Sequence, residues 1–84
     1  MLILVRELGI APKMAQYDVM AAWPDVVGPQ IARVTSPQRM ENGVLYVEVT
    51  TAPWRAELSM KRLELIEKLN TRVGTRVLND IRFR

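Results

Sequence analysis

The dipeptide Asn42-Gly43, followed by the alternating segment VLYVEVT at 44–50, constrains the fold of this chain more than any other feature. An Asn-Gly pair favours the backbone of a two-residue hairpin turn, so a strand is expected on each side of it. The alternation after the turn predicts a strand with one packed face and one face that is at least partly open. The packed positions are Leu45, Val47 and Val49, and the open positions are Tyr46, Glu48 and Thr50.

The chain is so short that this hairpin must share one core with every other element. Its 84 residues predict a single domain, 1–84, which buries only about 60–65% of the surface of its unfolded chain. Hydrophobic residues make up 49% and charged residues 25% of the sequence, in the ordinary range for a globular domain. The sequence contains no cysteine, so no disulfide contributes to its stability.

The first residues predict the end of a helix. Residues 1–8 have an amphipathic helical pattern, and Gly9 is expected to end this helix. The apolar run begins at residue 1 without a capping residue, which is typical of a helix that starts further upstream. Arg6 and Glu7 interrupt the run before it reaches the length of a signal-peptide core. No segment has the roughly 18 apolar residues of a membrane span. The default prediction is therefore a cytoplasmic protein that does not bind membranes.

Two more helices are predicted before the hairpin. One covers residues 12–23 and should end or kink at Pro24, which disfavours a helical backbone at the preceding residue and lacks an N–H. A short helix over 26–33 follows, in which Gly28 is expected to allow a close approach and Pro29 to reset the turn. The core-facing line of the first of these helices consists of Ala15, Val19 and Trp23, with Met20 beside it.

The remaining predicted elements are a first hairpin strand, a long helix and a last strand. The strand at 34–40 contains Pro37, which cannot donate to a ladder and therefore predicts an edge or a bulge. The helix at 53–73 is closed by Gly74, and the last strand covers 76–83. The core-facing stripe of the long helix consists of Trp54, Leu58, Leu65, Leu69 and Val73. In the last strand Val77, Ile81 and Phe83 are expected to point inward, and Asp80, Arg82 and Arg84 outward.

The order α-α-β-β-α-β predicts an α+β fold. A hairpin, a crossover helix and a third strand give a three-stranded sheet with helices packed on one face and the other face open. If the third strand runs parallel to a hairpin strand, the crossover is expected to be right-handed. No internal repeat, linker or low-complexity segment divides the sequence.

The sequence lacks the residues from which most active sites are built. It contains no histidine and no cysteine, which removes the commonest general base, nucleophile and transition-metal ligands. Ser36 and Ser59 have no evident base near them, and the four glycines are isolated rather than grouped into a phosphate-binding loop. The acidic residues mostly alternate with basic ones at helical salt-bridge spacing. The sequence therefore predicts a non-enzymatic binding module with no cofactor, no metal and no small-molecule substrate.

The arginines are the first candidate binding feature. The net charge is +3, and ten of the twelve basic residues lie from Arg33 onward. Two interpretations are open: solvated side chains whose stems cover apolar area, or a surface that contacts phosphate, for which the guanidinium group is suited. Arg82 and Arg84 share the open side of the last strand, whereas Arg55 and Arg62 lie about 20° apart on the long helix. The candidate nucleic-acid-binding residues are Arg39, Arg55, Arg62, Arg76, Arg82 and Arg84.

The aromatic residues are the second candidate feature. A tryptophan at a helix end more often belongs to the core than to a contact, so Trp23 is expected first to anchor the bend. Trp54 lies at the margin of its stripe and is expected to be half exposed, available for base stacking or a protein partner. Both tryptophans are candidate partner-binding residues. Tyr46 stands alone on the open sheet face, which is a weak signal beside the stacking pairs of RNA-binding sheets.

Several ordered motifs resemble those of the DciA family. They are W-P-D-V-V-G-P-Q-I-A at 23–32, T-S-P at 35–37, N-G-V-L-Y-V-E-V at 42–49, W-R-A-E-L at 54–58 and L-N-x-x-x-G at 69–74, with I-R-F-R at the end. The resemblance extends from about Leu2 to Arg84. It implies a KH-like fold and a bacterial protein that binds the replicative DnaB-type helicase and DNA, single- or double-stranded, and promotes helicase loading when replication starts.

Two departures from the family pattern limit what the resemblance implies. Many members carry basic or disordered sequence outside this domain, so helicase binding here is expected either to be weaker or to rely on the domain alone. The segment Gly74-Thr75-Arg76-Val77 replaces the G-x-x-G loop with which true KH domains clamp RNA, so that mode of binding is not implied. The alternatives are a KH-like RNA-binding module, which would prefer RNA over DNA, and a protein-interaction adaptor without nucleic-acid affinity.

Overall fold

The computed structural model describes the backbone of residues 10–84 and the side chains of residues 14–84. This part of the chain forms an α+β fold in the order α-α-β-β-α-α-β, which confirms the predicted class. The predicted helix end at 1–8 and its stop at Gly9 lie outside the described residues. The elements are α1 (Ile10–Val27), α2 (Pro29–Ala32), β1 (Thr35–Glu41), β2 (Val44–Val49), α3 (Ala52–Met60), α4 (Arg62–Val73) and β3 (Asp80–Phe83).

The three strands form one mixed sheet in the order β1-β2-β3. β1 and β2 are antiparallel, and the turn between them has φ of 51° at Asn42 and 79° at Gly43, as the hairpin signal predicts. β3 runs parallel to β2. The register of β1 shifts between Pro37 and Arg39, so the edge-strand bulge predicted from Pro37 is also confirmed.

The core lies between the packed face of the sheet and the helices. Every second residue of β2 is buried there, as the alternation predicts. The largest fully buried side chains come from α1, β2, α3, α4, β3 and the segment before β3, and they are Val19, Trp23, Leu45, Val47, Leu58, Leu69, Leu78 and Ile81. Trp54 and Val73, at the margins of the predicted helical stripe, pack against this cluster while only partly buried. The KH-like classification stays a prediction.

Helix α1 does not end at Trp23, so of the two predicted alternatives, an end or a kink at Pro24, the end is wrong. The helix continues through Pro24 to Val27. Proline removes one helical hydrogen bond, but Trp23 is fully buried and both Val26 and Val27 pack against the core, so tertiary contacts outweigh the local preference. The break falls instead at Gly28, which adopts φ 88° and ψ 164° before α2 begins.

The predicted reason for Gly28 is also wrong. A Cβ atom built at this position would meet no heavy atom within 4 Å, so no close approach requires glycine there. The requirement is conformational, because this combination of φ and ψ is almost confined to glycine. α2 is also shorter than the predicted helix over 26–33, because residues 26 and 27 of that prediction belong to the last turn of α1.

The C-terminal half departs from the prediction in two places. The long helix is interrupted at Lys61, where φ is −98° and ψ is 11°, so that α3 and α4 are separate helices. Gly74 ends α4 in the left-handed conformation, as predicted. β3 is shorter than predicted because the backbone of Val77 and Leu78 bonds to the side chain of Asn70 rather than to a neighbouring strand.

Candidate nucleic-acid interface

The open face of the sheet brings together residues from all three strands. Tyr46 in the middle of β2 is paired with Arg39 of β1 on one side and with Arg82 of β3 on the other. Side chains at paired positions project from the same face of a sheet, so the strand register alone places both arginines beside the tyrosine. Arg84 lies two residues beyond Arg82 and therefore on the same face.

Tyr46 is the centre of this cluster. The guanidinium carbon of Arg39 lies 4.2 Å from the centroid of the tyrosine ring, and that of Arg84 lies 5.4 Å from it. Both distances are within the range of a cation–π interaction. The ring thus holds two guanidinium groups near each other on a face that is not covered by any described element. We call Arg39, Tyr46, Arg82 and Arg84 the open-face cluster.

Carboxylates hold two of these arginines in place. Arg39 Nε donates to Glu41 at 2.6 Å, and Arg82 Nε donates to Asp80 at 3.0 Å. The side chains of both arginines are still about half exposed or more, at 48% and 65%. Exposed ion pairs of this kind contribute roughly 0–1 kcal/mol, so a phosphate can compete for the remaining N–H donors. Arg84 has no ion pair within residues 14–84.

The other predicted arginines lie elsewhere. Arg62 at the start of α4 reaches Asp80 at 3.5 Å and so adjoins the cluster at its margin. Arg76 pairs with Glu67 of α4 at 2.7 Å, on the helical side of the molecule. Arg55 donates through Nη2 to the carbonyl oxygen of Val49 at 3.0 Å and is partly buried. The contacts of Arg55 and Arg76 tie elements of the fold together, and neither residue joins the open-face cluster.

The two tryptophans have different surroundings. Trp23 is 0% exposed, and its Nε1 donates to Thr35 Oγ1 at 2.9 Å, which in turn donates to the carbonyl oxygen of Ile31 at 2.8 Å. This chain of hydrogen bonds links α1, α2 and β1, as expected of a core anchor. The side chain of Trp23 offers no surface to a partner in this conformation, so we assign it a structural role. Trp54 keeps part of its surface exposed on α3.

Sequence reasoning missed Tyr17, which is 77% exposed on α1. A signal was available: Tyr17 lies two positions from both Ala15 and Val19, about 200° around the helix from each, and therefore opposite their core-facing line. Its ring lines a groove together with residues of β1, which connects it to the open-face cluster.

The described part of the chain offers neither a metal-binding group nor a helix suited to span a membrane. Within it, no group of three or more His, Cys, Asp or Glu side chains is arranged to hold a metal ion. Nor is any of the helices described here sufficiently long and apolar to span a bilayer.

The fold and the open-face cluster define a small α+β domain with arginines around an aromatic ring. The comparisons with known proteins then identify its family: the model described as "Dna[CI] antecedent, DciA" matches residues 2–83, and the chain belongs to this family. The membership confirms the resemblance read from the sequence motifs. At the family level it supports a role related to DNA replication.

Similar curated proteins come from actinobacteria of several genera. A UPF0232 protein of Mycolicibacterium paratuberculosis is 32% identical over 79 residues, which cover 94% of this chain and 44% of the relative. UPF0232 proteins of Rhodococcus jostii and Mycobacterium tuberculosis are 28% and 29% identical, each with 94% of this chain and 42% of the relative covered. The chain thus spans less than half the length of these curated relatives.

Proposed function

We propose that this chain is a non-enzymatic DNA-replication factor that binds the replicative DnaB-type helicase and DNA and promotes loading of the helicase. Family membership supports the replication role. The observation that carries the DNA-binding part is the open-face cluster, in which Arg39 and Arg84 both lie against the ring of Tyr46.

The cluster has the chemistry that a polynucleotide backbone requires. The guanidinium group presents several donors in a planar fork that matches phosphate oxygens. The three arginines lie on β1 and at the end of β3, on either side of Tyr46 in β2. They can contact successive phosphates of a nucleic-acid strand, and each contact releases condensed counterions. Tyr46 adds an aromatic surface on which a base can stack. The contacts with phosphate and base do not require sequence readout, in keeping with a loading factor that acts on DNA of any sequence.

Helicase binding is assigned to a different part of the molecule. Trp54 on α3 lies in the helical layer, away from the sheet face on which the open-face cluster is built. Tryptophan is enriched among residues that dominate protein interfaces. A partly exposed tryptophan on the helical layer would allow the helicase and DNA to bind at the same time, as loading requires.

Size-exclusion chromatography with the replicative helicase of the same organism tests this proposal. The two proteins are mixed at moderate salt with nucleotide present, and the fractions are analysed for both chains. Co-elution is expected, and conservative replacement Trp54→Phe should preserve it while Trp54→Ala reduces it. Folding of each variant is verified by circular dichroism. Absence of a complex with the folded native chain would contradict the helicase-binding part.

A direct competition between single-stranded DNA and RNA of the same sequence tests the nucleic-acid part. The proposal predicts that DNA binds at least as tightly as RNA and that affinity falls steeply with salt. A clear preference for RNA would instead support an RNA-binding module. Helicase binding without nucleic-acid affinity at low salt would support a protein-interaction adaptor.

A further inference from the structure

Two depressions lie side by side on the edge strand β1, one at the open-face cluster and one against α1, and we call them together the groove. Its first part, of about 190 Å³, is lined by Tyr46 and Arg84 together with Gln38 and Arg39. Its second part, of about 450 Å³, is lined by Tyr17 and Met20 of α1 together with the same Gln38 and Arg39. Because Gln38 and Arg39 of β1 line both parts, the two depressions adjoin each other at the edge strand.

The bulge in β1 creates this groove. Pro37 pairs with Val47 and Arg39 pairs with Tyr46, which leaves Gln38 as the extra residue without a partner in β2. A bulge re-aims the inserted side chain and interrupts the ladder. Gln38 is exposed and bonds through its amide to Ser36, so its side chain is held along the edge of β1. An amide in this position can donate to phosphate or to a base edge.

The chemistry of the groove favours a single nucleic-acid strand over a protein. Among the described residues, those that line the part beside Tyr17 include no carboxylate and a single charge, that of Arg39. The part beside Tyr46 is lined by Arg39 and Arg84 against one carboxylate, Glu48, so cations outnumber anions there as well. The exposed ring of Tyr17 lies at one end of the groove and the half-buried ring of Tyr46 at the other, with Arg39 lining both parts between them. Aromatic platforms separated by cationic and amide donors are the pattern by which single strands are bound without sequence preference.

We infer that the groove from Tyr46 to Tyr17 binds a single strand of DNA, with bases stacked on the two tyrosines and the backbone held by Arg39 and Arg84. This inference rests on the proposed function and adds to it the form of DNA and a second stacking residue outside the sheet. A duplex keeps its bases paired and stacked within the helix, so it contacts the arginines of the open-face cluster but cannot use Tyr17 as a platform.

Fluorescence anisotropy with the whole chain tests the inference. The probes are a labelled oligothymidylate of about 12 nucleotides and a labelled duplex of the same length. Tyr17→Ala is expected to weaken single-strand binding about 10-fold and duplex binding less than about twofold. Tyr17→Phe retains the ring and should restore single-strand affinity. Leu63→Ala, which removes another exposed apolar side chain outside the groove, is the control and should change neither.

The salt dependence and a crosslink provide independent readouts. Tyr17→Ala should leave the slope of log affinity against log salt unchanged, because a stacking residue releases no counterions. Photocrosslinking of an oligonucleotide that contains 5-iodouracil, followed by mass spectrometry, should yield crosslinks at both Tyr17 and Tyr46. Crosslinks at Tyr46 without any at Tyr17 would overturn the path of the DNA strand around β1.

The outcomes distinguish this inference from the proposed function. If the native chain binds no DNA at low salt, both fail. If it binds DNA and Tyr17→Ala leaves single-strand affinity intact, or weakens duplex binding equally, only the inference fails. Loss of co-elution with the helicase in Tyr17→Ala, with DNA binding unchanged, would assign Tyr17 to a protein interface and would also overturn it.

Discussion

At the scale of single residues, Asn70 holds the segment that leads into β3. Its Oδ1 accepts from the N–H groups of Val77 at 3.1 Å and Leu78 at 2.9 Å, and its Nδ2 donates to the carbonyl oxygen of Leu78 at 2.9 Å. Asn70 is the buried polar residue of the core, at 7% exposure. The side chain thereby satisfies backbone groups of Val77 and Leu78, which are not paired with β2.

Replacing Asn70 by alanine should lower the free energy of unfolding by about 2–4 kcal/mol, because buried backbone groups lose their partners. Urea denaturation followed by circular dichroism measures the change. Thr71→Ala, an exposed neighbour on the same helix, is the control and should shift stability by no more than about 0.5 kcal/mol. Equal stability of Asn70→Ala and the control would contradict the role given to Asn70.

A second prediction at this scale concerns Trp23. Trp23→Phe removes the indole N–H that donates to Thr35 Oγ1, and it also removes part of the buried side-chain volume. We therefore expect the free energy of unfolding to fall by about 1–3 kcal/mol. Helicase co-elution of the folded variant should match that of the native chain, because the side chain has no exposed surface. A normal stability with lost co-elution would show instead that Trp23 is a contact residue.

At the scale of elements, two glycines that end helices have different backbone requirements. Gly74 closes α4 with φ 87° and ψ 12°, in the left-handed helical region that asparagine also tolerates. Gly28 separates α1 from α2 with φ 88° and ψ 164°, in a region that is essentially confined to glycine. Neither position is crowded, so the difference depends on backbone conformation alone.

This difference predicts distinct responses to asparagine. Gly74→Asn should cost less than Gly74→Ala, whereas Gly28→Asn and Gly28→Ala should both lower stability by about 1–3 kcal/mol. The four variants are compared by thermal and urea denaturation. If asparagine is tolerated equally well at both positions, the conformation given for Gly28 is wrong.

Some features of the helices and strands were predictable from the sequence, and others were not. The hairpin at Asn42-Gly43 and the bulge after Pro37 were predictable because each depends on a few adjacent residues with strong backbone preferences. The course of α1 through Pro24 was not predictable from the sequence. The buried contacts of Trp23 with the rest of the core override the local preference of a pre-proline residue against a helical backbone. The interruption at Lys61 has no marker such as glycine or proline in the sequence.

The part of the candidate site that depends on a local sequence pattern was also predictable. Alternation placed Tyr46, Arg82 and Arg84 on the open face from the sequence alone. Arg39 joined them only through the strand register, which depends on the bulge. Arg55 and Arg76 could not be separated from the cluster by sequence, because their partners Val49 and Glu67 are set by tertiary structure. The exposure of Tyr17 could be predicted from helical spacing, but its position beside Arg39 depends on the packing of α1 against β1.

At the scale of the whole molecule, the location of the positive charge matters more than its amount. The net charge is only +3, so long-range attraction to DNA is modest. The open-face cluster gathers three arginines around one ring, and Arg84 among them has no ion pair within residues 14–84. Exposed cations on the helical layer are spread over separate pairs with carboxylates of that layer. Examples of such pairs are Lys68 with Glu64, Arg72 with Asp25 and Arg76 with Glu67.

Two charge-matched triple variants test this claim most directly. One replaces Arg39, Arg82 and Arg84 by glutamine, and the other replaces Lys68, Arg72 and Arg76 by glutamine. Each lowers the net charge by three, from +3 to zero. Affinity for single-stranded DNA is measured by anisotropy over a range of salt concentrations, with folding of both variants verified by circular dichroism.

The open-face variant is expected to lose at least about 10-fold in affinity, and its salt slope should fall by about 2, as expected for three lost contacts to a single strand. The helical-layer variant should stay within about threefold of the native chain and keep its slope. Equal losses in the two variants would mean that only net charge attracts DNA. A larger loss in the helical-layer variant would place the DNA on the opposite side of the molecule and contradict the account.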